Sequence, residues 1–161
     1  MANTLSIGDI APNFTLPTDG EAEITLSSLQ GQKVVLYFYP KDDTPGCTKE
    51  SCSFNENLSV LKNMNVQVIG LSKCAVKKHD KFKAKYDLNF PLASDENSDV
   101  CEQYGTWIEK SMYGRKYMGI DRSTFLIDEN GKIEALWRKV KVLGHVQDVI
   151  ETIKNGSKKV A

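Results

Sequence analysis

Long apolar runs are missing from this sequence: no stretch approaches the roughly 20 residues of a membrane-spanning helix. The opening "MANTLSIGDIAPNF" also lacks the positively charged and apolar regions of a secretory leader. Both absences lead to the expectation of a soluble, cytoplasmic protein. Net charge is missing as well, because 21 Lys+Arg are balanced by 21 Asp+Glu, and no overall field draws the chain to nucleic acid or to an anionic membrane. Its partners are expected to be small molecules or other proteins. Histidine is scarce, with two in 161 residues, and the four cysteines at 47, 52, 74 and 101 form no Cys-x-x-Cys pair. That argues against a structural zinc site, and no metal is expected. A secreted disulfide framework would normally sit in a smaller, loop-rich chain. Reduced thiols, one or two of them reactive, fit better.

What is present reads as one domain, residues 1–156, with a flexible tail over 157–161; no repeat, low-complexity tract or linker divides it. "FTLPTDGEAEITL" reads as two short strands around Asp19-Gly20, an N-terminal β-hairpin. "KVVLYFYP" is a buried strand ending at a proline, and from Thr48 a helical pattern places Phe54, Leu58 and Leu61 at spacings of four and three, ending near "KNMN". "VQVIGLS" is a second buried strand, followed by the charged helix "VKKHDKFKAKYD" with Phe82 and Tyr86 one turn apart. The order strand, helix, strand implies a parallel pair with a right-handed crossover. "FPLASD", a short helix around "SDVCEQYG", two strand-like runs about Asn130-Gly131 and a last helix "HVQDVIETIKN" stopping at Gly156 complete the chain. This is a thioredoxin-like α/β arrangement: a central mixed sheet flanked by helices, with the N-terminal hairpin as an extension.

The stretch "YPKDDTPGCTKESC" carries the chemistry. Cys47 falls in the first turn of a helix, where unpaired backbone N–H groups and the positive end of the helix dipole favour an anion. Thiolate is the nucleophilic form of cysteine, and helix N-termini are among the places that favour it. Thr44 is placed to turn its hydroxyl toward the same pocket, Pro40 and Pro45 stiffen the loop, and Gly46 lets a substrate approach the backbone; the loop is built like an anion-receiving nest. Cys52 lies five residues further on. Along a helix that separation is about 140° beyond a full turn and about 7.5 Å of rise, so the side chains leave from different faces. A disulfide needs Cα atoms within about 7 Å, so joining the two thiols requires the first turns of the helix to unwind. The pattern points to a transient disulfide.

"P-x-x-x-T-x-x-C", here Pro40, Thr44 and Cys47, is similar to the active-site signature of the peroxiredoxins, and "YPKDDTPGCTKESCSF" resembles their bacterioferritin comigratory protein, or Q-type, branch. The resemblance extends from "GDIAPNFTL" through "VIGLS" and "KHDKFKAKYDLNFPLASD" to "KSMYGRKYMGIDRSTFLIDENGKI". It implies a thiol peroxidase that reduces hydrogen peroxide and organic hydroperoxides. Cys47 would be the peroxidatic cysteine, Thr44 and Arg122 its activating partners, Pro40 a shield of the pocket and Cys52 the resolving cysteine. Gly46, Cys47, Thr44 and Arg122 would bind the peroxide. A Cys47–Cys52 disulfide would be reduced by thioredoxin or a similar dithiol protein, in a monomer, with no metal, haem or flavin cofactor. Arg122 is chosen by the resemblance; from the sequence alone Arg115 and Arg138 are comparable. Glu50 is a candidate partner for Arg122, although the helix dipole by itself accounts for an acidic residue there.

Cys74 stands in "GLSKCAV", where the family often has aspartate; it is either a substitute resolving thiol or a bystander, and bystander is preferred because Cys52 matches the branch pattern. Cys101 is expected in the core. His79 and His145 lie in charged helical segments and are expected on the solvated surface. Trp107, Tyr113 and Tyr117 are expected to pack near a core edge rather than to line the pocket mouth. Two further readings are a thioredoxin-like disulfide carrier, against which the missing Cys-x-x-Cys counts, and a non-catalytic thiol sensor, which turnover would separate from an enzyme.

Overall fold

A computed structural model describes residues 5–156; the tail 157–161 lies outside the described residues. Around Gly20, whose φ of 71° is one a side chain would resist, β1 (Thr15–Thr18) and β2 (Ala22–Thr25) form the expected hairpin. β3 (Lys33–Phe38) follows, then α1 (Pro45–Glu56) and α2 (Leu58–Asn63). The first helix starts three residues before the expected Thr48, because Pro45 supplies a preset φ at a position whose N–H would be unpaired anyway. The single helix expected as far as "KNMN" is interrupted at Asn57 (φ −102°, ψ 11°), whose side chain donates to the Ser53 carbonyl at 2.8 Å.

β4 (Val66–Ser72) and α3 (Val76–Tyr86) complete the front half. β5 (Leu92–Ser94), α4 (Val100–Gln103), β6 (Trp107–Met112), β7 (Arg115–Ile120), β8 (Ser123–Ile127), β9 (Ile133–Trp137) and α5 (His145–Lys154) form the rest. Among the described residues the main sheet has the order β2-β1-β5-β4-β3-β8-β9. β3–β4 and β4–β5 are parallel; β3–β8 and β8–β9 are antiparallel, so the sheet is mixed, and the N-terminal hairpin continues it beyond β5. The pair β6–β7 forms a separate two-stranded sheet that the sequence pattern had left without strands. Its residues are mostly exposed, so no buried alternation marked it.

Alternation along β3 divides the core. Val35 and Tyr37 face α1, α2, α3 and α5, together with Phe54, Leu61, Phe82 and Val149; Val34, Leu36 and Phe38 face the other layer with Leu16, Cys101, Tyr104 and Phe125. Phe54 anchors the last turn of α1 by stacking on Tyr37 with ring centroids 4.7 Å apart. Full burial of such a ring contributes about 1.5–3 kcal/mol. Among the described residues no helix is long and apolar enough to cross a membrane.

Two expectations fail here. His79 is 0% exposed and His145 6%, rather than solvated. His79 shares the helix face of Phe82 and Tyr86 at spacings of three and seven, so it turns inward on an otherwise charged helix. His145 opens α5 on the side of Val146, Val149 and Ile150, all buried. Cys101 is in the core, as expected, and burial followed by the nearby Asp95 carboxylate pushes its thiol pKa far up, which leaves it inert.

Candidate active site

The register of the sheet brings the site together. Phe38, the last residue of β3, pairs with Ser123, the first of β8, so Arg122 sits beside the carboxyl end of β3, where the chain leaves for α1. Carboxyl ends of strands are where open α/β sheets collect reactive groups.

Cys47 is the third residue of α1 and 1% exposed. Pro45 has no N–H, and Thr48 makes the first intrahelical bond by donating to the Thr44 carbonyl at 2.8 Å. The N–H groups of Gly46 and Cys47 therefore precede that bond, at the positive end of the helix. The Cys47 sulfur accepts a hydrogen bond from Arg122 Nη2 at 3.3 Å. The other arm of the same guanidinium, Nη1, donates to Glu50 Oε1 at 2.6 Å. One planar fork thus links a thiol and a carboxylate that lie one turn apart on α1. Arg115 is exposed at the start of β7, and Arg138 donates to the carbonyls of Tyr104 and Gly105; neither bonds Cys47.

Gly46 fits beneath this fork. A Cβ at its position would lie 3.1 Å from Arg122 Nη2, so any side chain presses on the guanidinium. Glu50 is 0% exposed, and its second oxygen, Oε2, is buried without a hydrogen-bond partner. Burial pushes the Glu50 carboxyl up from 4.5 to about 7, with Arg122 pulling the other way. Arg122 is itself held above its usual range: burial works against its charge, and the charges of Glu50 and Cys47 outweigh that.

Thr44 stands at the N-cap. Its hydroxyl donates to the Lys41 carbonyl at 2.9 Å, so it braces the loop, while Arg122 is what bonds the sulfur. Pro40 heads the loop and lines a cleft of ≈ 540 Å³ with Cys74, Trp107 and Tyr117. Neither Cys47 nor Arg122 lines that cleft, and Tyr113 is 98% exposed on the turn between β6 and β7. Cys52 is half-buried in the same wound helix, and both thiols are free. Burial and the charge of Glu56 raise its pKa, so at rest it is a thiol. Cys74 accepts a 3.4 Å hydrogen bond from the Asp42 N–H. Among the described residues no group of three His, Cys, Asp or Glu side chains is placed to hold a metal ion. The arrangement sets a buried cysteine sulfur against a cation at a helix start, with a second thiol on the same helix.

Buried near this site is a cluster the sequence reading missed, Tyr39, Asp42 and His79. The only signal for it was the face that His79 shares with Phe82.

Residues 7–136 match the AhpC/TSA family. A Coxiella burnetii protein named as a Bcp peroxiredoxin is 55% identical over 147 residues, covering 91% of this chain and 97% of its own. The structure of a mutant of PrxQ from Xylella fastidiosa superposes with a TM-score of 0.91 at 40% identity, over 97% of this chain and 99% of that one. The bacterioferritin comigratory protein of Xanthomonas campestris, studied for alkyl peroxide reduction, superposes with a TM-score of 0.85 at 41% identity, over 90% of this chain and 92% of that one.

Proposed function

This chain belongs to the AhpC/TSA family of peroxiredoxins, and from that premise we propose that it is a thiol peroxidase in which Cys47 reduces hydrogen peroxide and organic hydroperoxides. The observation that carries the reading is the 3.3 Å contact between Arg122 Nη2 and the Cys47 sulfur at the start of α1. The fixed positive charge and the helix end favour the ionised sulfur, and the fork's donors suit the oxygens of a peroxide.

The thiolate attacks one peroxide oxygen in line with the O–O bond. The sulfur–oxygen bond forms as the O–O bond breaks, and the departing oxygen leaves as water or an alcohol after taking a proton. Arg122 and the N–H groups near Gly46 and Cys47 stabilise charge on the reacting oxygens, Thr44 joins them once its hydroxyl turns from the Lys41 carbonyl to the substrate, and Pro40 shields the pocket. Cys47 is left as a sulfenic acid. Once the start of α1 unwinds, the Cys52 sulfur attacks the Cys47 sulfur, water leaves, and a disulfide forms. A dithiol protein such as thioredoxin restores both thiols by exchange and is oxidised in turn. An intramolecular resolving thiol needs no second subunit, so the enzyme acts as a monomer, in the cytoplasm.

The test is peroxide consumption coupled to thioredoxin, thioredoxin reductase and NADPH. Cys47→Ser is expected to abolish turnover. Cys52→Ser is expected to consume one equivalent of peroxide and then stall with thioredoxin. Retained turnover in Cys47→Ser overturns the mechanism, and a stall in Cys74→Ser instead of Cys52→Ser moves the resolving role to Cys74.

A further inference from the structure

The loop 39–44 that leads into α1 carries Pro40 and Thr44, and its one fully buried polar residue is Asp42, 5% exposed between the exposed Lys41 and Asp43. A carboxyl group removed from water must be paired. Both Asp42 oxygens are: Tyr39 donates its hydroxyl to Oδ1 at 2.5 Å, and His79 Nδ1 lies 2.6 Å from Oδ2 with a hydrogen between them. His79 is fixed from its other side, where Nε2 donates to the Ala93 carbonyl of β5 at 2.9 Å, since a carbonyl can only accept. The Asp42 N–H is also used, by the Cys74 sulfur. Next along the chain, Asp43 has a φ of 61° and its carboxylate accepts from Lys85 at 2.9 Å and Tyr86 at 2.6 Å, both on α3.

Apart from the Tyr39–Asp42 bond, which lies within the loop, these ties run to α3 and to Cys74 after β4, His79 being held in turn by β5, and none runs to α1. The loop is therefore held from outside the helix that is to unwind. We infer that His79 is a positioning residue for peroxide reduction: acting through Asp42, it fixes the loop that places Pro40 and Thr44 and keeps that wall of the pocket in place while α1 unwinds and rewinds. This rests on the peroxidase reading above. It also gives Cys74 a task as hydrogen-bond acceptor for the loop, consistent with a thiol that does not resolve.

The two ring nitrogens allow a test that separates positioning from simple filling of the core. The amide of asparagine reaches where Nδ1 sits, and that of glutamine reaches where Nε2 sits. His79→Asn thus keeps a donor to Asp42 and gives up the Ala93 bond, while His79→Gln does the reverse. In a Cys52→Ser background, His79→Gln is expected to slow oxidation of Cys47 by hydrogen peroxide about tenfold or more, the scale of a misplaced positioning group. His79→Asn is expected to stay within about threefold of the parent. Alkylation of Cys47 by iodoacetamide, which has no second oxygen to place, is expected to change less than about twofold in both. Equal slowing in the two variants, an unslowed His79→Gln, or alkylation falling in step with oxidation overturns the inference.

Tyr39→Phe, which keeps the ring and removes one bond to Asp42, covers the case in which a His79 variant does not fold. Faster amide hydrogen exchange at 41–44 with α3 unchanged is expected there, and unchanged exchange at 41–44 overturns the inference. Should the unsubstituted protein fail to reduce peroxide, the peroxidase reading falls, and amide exchange at 41–44 in His79→Gln, faster than the parent's or unchanged, still decides whether His79 and Asp42 hold the loop.

Discussion

Arg122 and Cys47 are 75 residues apart in the chain, and in the fold Nη2 of one donates to the sulfur of the other at 3.3 Å while Nη1 donates to Glu50. The two contacts are made by one rigid group, so they cannot be adjusted separately. A charge without the fork cannot satisfy both.

Arg122→Lys keeps the charge and replaces the planar fork with a single ammonium. The rate constant for Cys47 oxidation by hydrogen peroxide is expected to fall about 100-fold, the scale seen when one stabilising donor is removed from a reacting oxygen. Stopped-flow measurement checks this, and a rate within a few-fold of the parent rules out a role for the fork.

Gly46→Ala adds a Cβ that would lie 3.1 Å from Arg122 Nη2. Gly46 has no positive φ, so the new side chain brings no backbone strain, and alanine favours a helix over glycine by about 0.5–1 kcal/mol. The expected outcome is an opposition of effects: a melting temperature equal to or above the parent's, with peroxide reduction slowed several-fold. Loss of both together shows that the helix end, and not the guanidinium, was disturbed.

Unwinding of α1 is expected to stop at its last turn. Phe54 is stacked on Tyr37, and Asn55 holds the Asp87 carbonyl and the Asn89 N–H through its side chain. Hydrogen exchange comparing reduced and disulfide forms is expected to show lost protection over 45–53 and retained protection over 58–63. Equal protection of 45–53 in both forms contradicts a Cys47–Cys52 disulfide, since the wound helix holds the two apart.

Glu50 sets a pH dependence of stability. Its carboxyl is raised from 4.5 to about 7, so the native state keeps a proton that the unfolded chain gives up as pH rises between those values. Stability falls over that window, by about 3 kcal/mol for a change of this size. The melting temperature of Glu50→Gln relative to the parent is expected to climb from pH 4.5 to about 7 and then level off. A flat or falling difference contradicts the shift.

His145 works in the opposite direction. Burial lowers its pKa from 6.5 to about 4, with Arg122 adding to the effect and Asp148 opposing it, and its Nε2 pairs with the Thr124 hydroxyl at 2.7 Å. Its contribution is present above pH 6.5 and is lost as pH falls toward 4. The NMR titration of its ring is expected to show a neutral imidazole at pH 5.5, and a midpoint near 6.5 sinks this assignment. The opposed trends of Glu50 and His145 overlap, so the parent's melting curve alone hides both.

The strands β3, β4, β8 and β9 and the helices α1, α3 and α5 were legible because each is encoded locally. The consecutive β-branched and aromatic residues of "KVVLYF", the three- and four-residue spacing of Phe54, Leu58 and Leu61, and Asn130-Gly131 at a turn are properties of near neighbours. Cys47 at a helix start was legible for the same reason, and so was the incompatibility of a wound helix with a Cys47–Cys52 bond. The exposed hairpin β6–β7 carried no such pattern and went unread.

The sequence by itself determined that Cys47 would sit at a helix start and that a Cys47–Cys52 bond is incompatible with that helix wound, because both follow from the pitch and polarity of one helix. Only the tertiary structure decided what surrounds that thiol. Pairing of Phe38 with Ser123 put Arg122 against Cys47 and Glu50, and packing of α3 turned His79 inward onto Asp42. These are contacts between residues 37 to 85 positions apart. They depend on strand register and helix packing across the sheet, which no local spacing records.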